Sequence, residues 1–372
     1  MEIPAESRNR NYKSPEYTLM AQDDKSLEDF DVNGPGLADK LFGLPHTPED
    51  ARLVLLPIPW EATVSYRTGT SKGPDAILKA SRQIDFFTRE IHDAWKMGVS
   101  MTEVPQSLQE TSDLLRILVD QYHNSPMTGE GSALIPDKIN EACENLNIYV
   151  KKMSLEYLKK GKLVGLVGGD HSTPLGLIRA LTETHERFAV LQIDAHADLR
   201  KAYEGFTYSH GSIMYNVLKV PAVSKLVQVG VRDFCEAEFQ LIQRAGGRVR
   251  TFFDDDLKAK QNGSQSWEAQ CTDIIKELPQ KVYISFDIDG LDPRFCPHTG
   301  TPVPGGLEFH HAVDLIKAVA TSGRTIIGFD LNEVAPGEGD DWDANVGARI
   351  LWQLSCWTGV SNGLLNHSRV SR

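Results

Sequence analysis

Asp194, His196 and Asp198 occupy alternate positions, and Asp287 and Asp289 repeat that spacing ninety residues later. In extended chain, residues at i, i+2 and i+4 project to one side. Each segment therefore aims its acids and imidazole at a common point. With His171, in Gly168-Gly169-Asp170-His171-Ser172, they make six candidate ligands, four carboxylates and two imidazoles. Four carboxylates crowded together repel unless cations compensate them, and four negative charges match two divalent ions. The chemistry read from these residues is a two-metal centre. Oxygen-rich mixed ligation suits manganese, then nickel or iron, and not a closed structural zinc site. Such a pair lowers the pKa of a shared water and supplies hydroxide at neutral pH. One Asp-x-Asp after a strand is usually a turn or a helix cap; three such segments ending three apolar runs form a pattern. Asp170 and Asp292 fit less well as ligands. Asp292 precedes Pro293 and shapes a turn, and Asp170 orients a neighbour.

The elements that must carry these groups are short apolar runs. Leu53–Ile58, Leu163–Val167, Ala189–Ile193, Leu226–Val231, Val282–Phe286 and Thr325–Phe329 have the length and composition of strands buried on both faces. Ile139, Cys143, Leu146, Val150 and Met153 keep a helical spacing; so do Leu175, Ile178 and Leu181, and Ala312, Leu315, Ile316 and Val319. Strands alternating with helices predict an α/β fold, a parallel sheet covered on both faces. In such a sheet ligands gather beyond the carboxyl ends of the strands, where the acids and imidazoles sit. The stretch 107–122 is expected to be helical and 124–133 a loop. Residues 1–50 lack either period and read as an N-terminal arm, free or draped on a neighbouring subunit.

Composition sets outer bounds. Thirty-nine Lys and Arg against 51 Asp and Glu give a net charge of −12, which argues against nucleic acid as partner. No run of 18 apolar residues predicts a membrane span, and no basic, apolar leader is seen. The five cysteines are widely spaced with no CxxC, so neither a disulfide framework nor a zinc ribbon is signalled. A cytoplasmic enzyme is the expectation.

Gly-Gly-Asp-His-Ser at 168–172, Asp-Ala-His-Ala-Asp at 194–198 and Ser-Phe-Asp-Ile-Asp-Gly-Leu-Asp-Pro at 285–293 resemble the three signatures of the ureohydrolases, which include arginase, agmatinase, guanidinobutyrase and guanidine hydrolase. The resemblance runs from about residue 50 to 358, so the catalytic domain is expected over 51–358, with a C-terminal tail over 359–372. It implies a three-layer α/β/α fold and hydrolysis of a guanidinium group to urea at a binuclear site held by His171, Asp194, His196, Asp198, Asp287 and Asp289. Tyr208-Ser209-His210-Gly211 looks like the segment bearing the family's catalytic His, hence His210. Asn332-Glu333-Val334-Ala335-Pro336 looks like the segment whose Glu holds the guanidinium, hence Glu333. Deacetylases share the fold but use one zinc, against which the full ligand set argues. A catalytically silent metal-binding relative would lack His210 or Glu333. The resemblance also implies a trimer or hexamer.

Within that family the chain looks agmatinase-like, and the segment after Asp198, Leu199 to Phe206, disfavours arginine. Two departures point towards guanidine hydrolase, whose substrate is free guanidine and whose metal is nickel. Gly337 to Asp343 replaces a short Tyr-Asp step, and Trp60, Phe206 and Tyr208 are bulky enough to close the pocket around a small substrate. Nickel would bring metal-delivery proteins as partners; manganese is expected otherwise. Agmatine and guanidinobutyrate are the alternative substrates.

Overall fold

In β1, Leu53–Ile58, every residue is buried. Successive side chains divide between two apolar layers, Leu53 and Leu55 into one, Leu56 and Ile58 into the other. The same division holds in β4, Phe188–Ile193, where Ala189, Leu191 and Ile193 face the first layer and Phe188 and Val190 the second. A strand apolar on both sides must sit inside a sheet covered on both faces. The computed structural model, which describes residues 30–124 and 134–368, has that form. Its other strands are β2 (Val99–Met101), β3 (Leu163–Gly168), β5 (Val223–Val231), β6 (Val249–Phe253), β7 (Lys281–Asp287) and β8 (Thr325–Asn332). Among the described residues these eight form one all-parallel sheet in the order β2-β1-β3-β8-β7-β4-β5-β6.

The helices Phe309–Thr321 and Trp342–Ser361 pack on the first face; Ile135–Leu158 and Leu175–Leu181 pack on the second. The architecture is the expected three-layer α/β/α sandwich. All six expected strands are present. The stretch expected to be helical at 107–122 lies within the helix Gln106–Asn124, and the loop expected at 124–133 lies, beyond Asn124, outside the described residues. The carboxyl ends of β3, β4, β7 and β8 lie together because those strands are neighbours in the middle of the sheet.

The ends of the chain differ from expectation where they are described. Residues 1–29 of the expected arm fall outside the described residues, but the remainder docks on the body. The Phe30 ring lies 5.5 Å from Trp95, and Leu41, Phe42 and Leu44 enter the first apolar layer. Phe42 does so from a left-handed backbone (φ 56°), a placement no periodic pattern announces. The boundary expected at 358 falls inside the helix Trp342–Ser361. Beyond it Leu365 is buried, and His367 forms an antiparallel bridge with Ile91.

Candidate metal centre

Each candidate ligand sits where a central strand stops. β3 ends at Gly168 and leads through Gly169 and Asp170 to His171. Gly169 is demanded by contact: a Cβ there would lie 1.9 Å from the Trp60 carbonyl oxygen. β4 ends at Ile193 and delivers Asp194, His196 and Asp198; β7 ends on Asp287, and a single 3-10 turn (Ile288–Gly290) carries Asp289. The six groups come together, as expected, but not on extended chain throughout. Asp198 has a left-handed backbone (φ 53°), and Asp289 lies in the turn.

His171 Nδ1 is the focus of one cluster, 3.0 Å from Asp194 Oδ2, 3.2 Å from Asp198 Oδ2 and 3.2 Å from Asp287 Oδ2. Buried as it is, that nitrogen forms no aligned hydrogen bond with any of them. A nitrogen and three carboxylate oxygens that surround a point without bonding each other suit a cation between them. A second cluster forms around His196 Nδ1, 3.0 Å from Asp289 Oδ2 and 3.5 Å from Asp194 Oδ1. Two groups of three are tight enough to share an ion, His171 with Asp194 and Asp287, and Asp194 with His196 and Asp289. Asp194 belongs to both, one oxygen to each. Asp198 stands beside the first group rather than in it.

The electrostatics make the same demand. Burial pushes the Asp198 carboxyl up to about 7, and the charge of Asp194 adds to this. Burial and the charges of Asp289 and Asp194 raise Asp287 well above the usual carboxylate range. Burial also opposes ionisation of Asp194, but the close approach and positive charge of His171 and His196 outweigh it and hold that carboxyl far below its ordinary value. Both imidazoles are held well above their usual range by the surrounding carboxylates, against the pull of burial. Carboxylates crowded this closely need positive charge among them, and a donor set of four carboxylates and two imidazoles fits divalent ions.

His210 and Glu333 lie beside these groups. Glu333, also left-handed (φ 62°), accepts the His171 N–H at Oε1 (2.8 Å) and has His210 Nδ1 3.3 Å from the same oxygen. Its Oε2 is buried and has no hydrogen-bond partner among the described residues. Glycine at 300 leaves space next to it, since a Cβ there would come within 3.2 Å. His210 Nε2 is 3.1 Å from Ser65 Oγ. Burial opposes its proton, but the hydrogen bond and charge of Glu333 raise its affinity above the ordinary imidazole value.

A cavity of about 290 Å³ opens over His171, His196, Asp198 and His210. Its wall includes Tyr66, Arg200, Asp233 and Thr301; none of them was expected individually as a site residue, although Arg200 lies in the 199–206 segment that disfavours arginine. The aromatic expectation needs correction. Trp60 and Phe206 are about 1% exposed, pack in the second apolar layer and do not line the cavity. Tyr208 is half-buried against the same layer, under the Arg179 guanidinium. Ring size alone does not tell which way a side chain faces, and these rings follow the apolar layer. Asp170 is buried and accepts from the Ser172 N–H and hydroxyl; Asp292 accepts from the Arg294 N–H, the turn expected of it.

The missed partners of the ligands had a signal. Gln192 stands two before Asp194 and Ser285 two before Asp287, so the same alternation places them on the ligands' side. Gln192 donates to Asp194 Oδ2 at 2.7 Å, and Ser285 Oγ lies 2.9 Å from His171 Nε2.

The arginase-family model matches residues 51–356. The chain is 32% identical over 327 residues to N(1)-aminopropylagmatine ureohydrolase of Thermus thermophilus, covering 88% of this chain and 97% of that protein. It is 30% identical over 318 residues to the protein of that name from Synechocystis, covering 84% and 90%. In structure it resembles agmatine ureohydrolase of Thermoplasma volcanium with a TM-score of 0.66 and 21% identity, over 91% of this chain and 98% of that one, a likeness of fold.

Proposed function

The chain belongs to the arginase family, and from that premise we propose that it hydrolyses free guanidine to urea and ammonia at a two-metal centre. The observation that carries the reading is Asp194, whose two oxygens serve two ligand groups beside an unpartnered Glu333 oxygen. His171, Asp194, Asp198 and Asp287 would hold one ion and Asp194, His196 and Asp289 the other. Two divalent ions so held supply Lewis acidity and water of lowered pKa at neutral pH.

Guanidinium presents only N–H donors, so its site needs a carboxylate acceptor. Glu333 Oε2 is that acceptor, since Oε1 is already engaged by the His171 N–H. The planar cation is resonance-stabilised, and the carbon yields its nitrogen only once that nitrogen is protonated. His210 carries the proton, with Nδ1 towards Glu333 and Nε2 towards Ser65, and gives it to the departing ammonia. Guanidinium and water are thereby converted to urea and ammonium with atoms and charge in balance.

The substrate's size rests on the cavity wall. Arg200 lines it 3.9 Å from Glu238 and on the same wall as Asp233, so the wall mixes both signs and presents no single-sign partner for a cationic tail, such as agmatine's, or a carboxylate tail, such as guanidinobutyrate's. A tail-less cation needs no such partner. Trp60 and Phe206 contribute nothing to this, being in the core. Nickel is the ion proposed with this substrate, supplied by delivery proteins, in a cytoplasmic trimer or hexamer; manganese goes with the tailed alternatives. Urea release from guanidine, methylguanidine, agmatine, guanidinobutyrate and arginine, each with nickel or manganese, tests the assignment. The highest kcat/KM is expected for guanidine with nickel. A higher value for agmatine would transfer the assignment to a tailed substrate, and no urea from any would end it.

A further inference from the structure

Five adjacent strands carry a polar residue at one register level, buried in the middle of a sheet that is otherwise apolar there. Thr251 on β6 pairs with Gln228 on β5, Gln228 with Gln192 on β4, Gln192 with Ser285 on β7, and Ser285 with Asp330 on β8. Alternation puts all five on the second face, in line with Val190, Leu226 and Tyr283 of that apolar layer. Gln192, Gln228, Ser285 and Asp330 are wholly buried, and Thr251 nearly so. Burying five polar side chains beneath the ligands is costly unless they bond one another.

They do, and with a direction. The Thr251 hydroxyl donates to Gln228 Oε1 (2.8 Å). The Gln228 amide donates to Gln192 Oε1 (2.6 Å) and to the Ala197 carbonyl (2.7 Å). The Gln192 amide then donates to Asp194 Oδ2 (2.7 Å) and more weakly to the His196 carbonyl (3.3 Å). Each amide oxygen is occupied by the previous donor, so neither amide can flip without losing bonds, and the chain of donors ends on a carboxylate. From the other side Ser285 donates to Asp330 Oδ1 (2.9 Å) and stands 2.9 Å from His171 Nε2.

Both arms act on the same cluster. Asp194 Oδ2 and His171 Nδ1 belong to the first ligand group, 3.0 Å apart. The second group is held mainly by main chain, with the Thr301 hydroxyl 3.4 Å from Asp289 Oδ2, whereas in the first group main chain reaches Asp287 (Asp289 N–H, 2.9 Å) and not the Asp194 Oδ2 that Gln192 holds. The His196 N–H donates to Asp194 Oδ1 (2.6 Å) and the Ala195 N–H to Asp289 Oδ1 (3.0 Å). We propose that Thr251, Gln228 and Gln192 are positioning residues that set the affinity of the His171 ion position through Asp194 Oδ2, leaving the His196 position to the backbone. The inference rests on the two-metal reading and adds to it residues that touch no ion, two of them on strands that supply no ligand.

The test is titration of the metal-free full chain with cobalt(II), read by visible absorption and by metal counted per chain. Wild type is expected to take up two ions in resolvable steps. Gln192→Leu should weaken one step about 10- to 100-fold and Gln228→Leu about 10-fold, with the other step unchanged. Thr251→Val should weaken the same step about threefold and shift its absorption band, whereas Thr251→Ser, which keeps the hydroxyl, should match wild type. Unchanged steps in both glutamine variants would overturn the proposal. So would equal weakening of both steps together with a lower melting temperature of the metal-free protein, the mark of general loosening. If the leucine variants do not fold, the Thr251 pair decides, and identical titrations of Val and Ser variants would refute the idea. A wild type that binds no cobalt would instead remove the two-metal reading, and the inference with it.

Discussion

The two edges of the one sheet are built from opposite charges. At the amino edge, seven of the eight strands of the described residues have a cation within two residues of their start, namely Arg52, Lys162, Arg187, Lys225, Arg248, Lys281 and Arg324. Several are satisfied within the chain. Lys162 donates to the carbonyls of Glu49 (2.6 Å) and Ala51 (2.7 Å), Arg324 to that of Leu278 (3.0 Å), and Lys225 pairs with Glu277. At the carboxyl edge, Asp170, Asp194, Asp198, Asp287, Asp289, Asp330 and Glu333 face three imidazoles. Cations are satisfied from inside at one edge, whereas carboxylates crowd together at the other. The lesson is that the amino edge serves stability and the carboxyl edge has given stability up for chemistry.

The contrast can be broken most sharply at Asp194. Asp194→Asn is expected to empty both ion positions by elemental analysis and lower kcat about 10⁴-fold or more. Metal-free Asp287→Asn, which replaces a carboxyl that burial and like charges keep from ionising by its neutral isostere, should melt no lower than metal-free wild type. A fall of several degrees would mean that the carboxyl edge is structural after all. His210→Asn should lower kcat about 10²- to 10⁴-fold with both ions retained; loss of metal would make His210 a ligand. At the opposite edge the pattern inverts. Lys162→Met leaves two carbonyls short of a donor and should cost about 1–2 kcal/mol of stability by urea denaturation with kcat unchanged. A variant of that kind that lost activity but not stability would erase the distinction between the edges.

The smallest expected effect is a pH dependence at the amino edge. Burial, helped by the Lys281 ammonium 3.1 Å away, pulls His185 down to about 4. Its folded pKa is therefore below the unfolded value of about 6.5. The unfolded chain binds the proton first, so stability falls as pH drops through that window and not above it. The loss is on the order of 1 kcal/mol once screening of this half-exposed ring is allowed for. His185→Gln should remove that slope from denaturation midpoints measured between pH 7 and 4, and an unchanged slope would place its origin elsewhere.

The central strands were legible because burial on both faces leaves an unbroken apolar run, and the acids that stop each run mark the carboxyl edge. The edge strands were not. Val99–Met101 has three residues, and Val249–Phe253 breaks its run with exposed Arg250, so neither shows a period. Residues 41–44 were hidden because a few isolated apolar groups filling another element's core have no pattern of their own. The six candidate ligands come together although Asp198 and Asp289 leave extended geometry; a tight turn can return a side chain to the same side. The alternation also contained Gln192 and Ser285, overlooked because neutral polar groups do not stand out as chemistry. Trp60 and Phe206 show the converse, large side chains whose type suggests a pocket and whose neighbours make them core.

The account stands or falls on whether cations bind at the carboxyl edge. Protein stripped with chelator and then titrated with nickel or manganese should regain urea release in proportion to bound metal and reach its plateau at two ions per chain. Urea release at full rate by the stripped protein, or a plateau reached at a single ion, would contradict it.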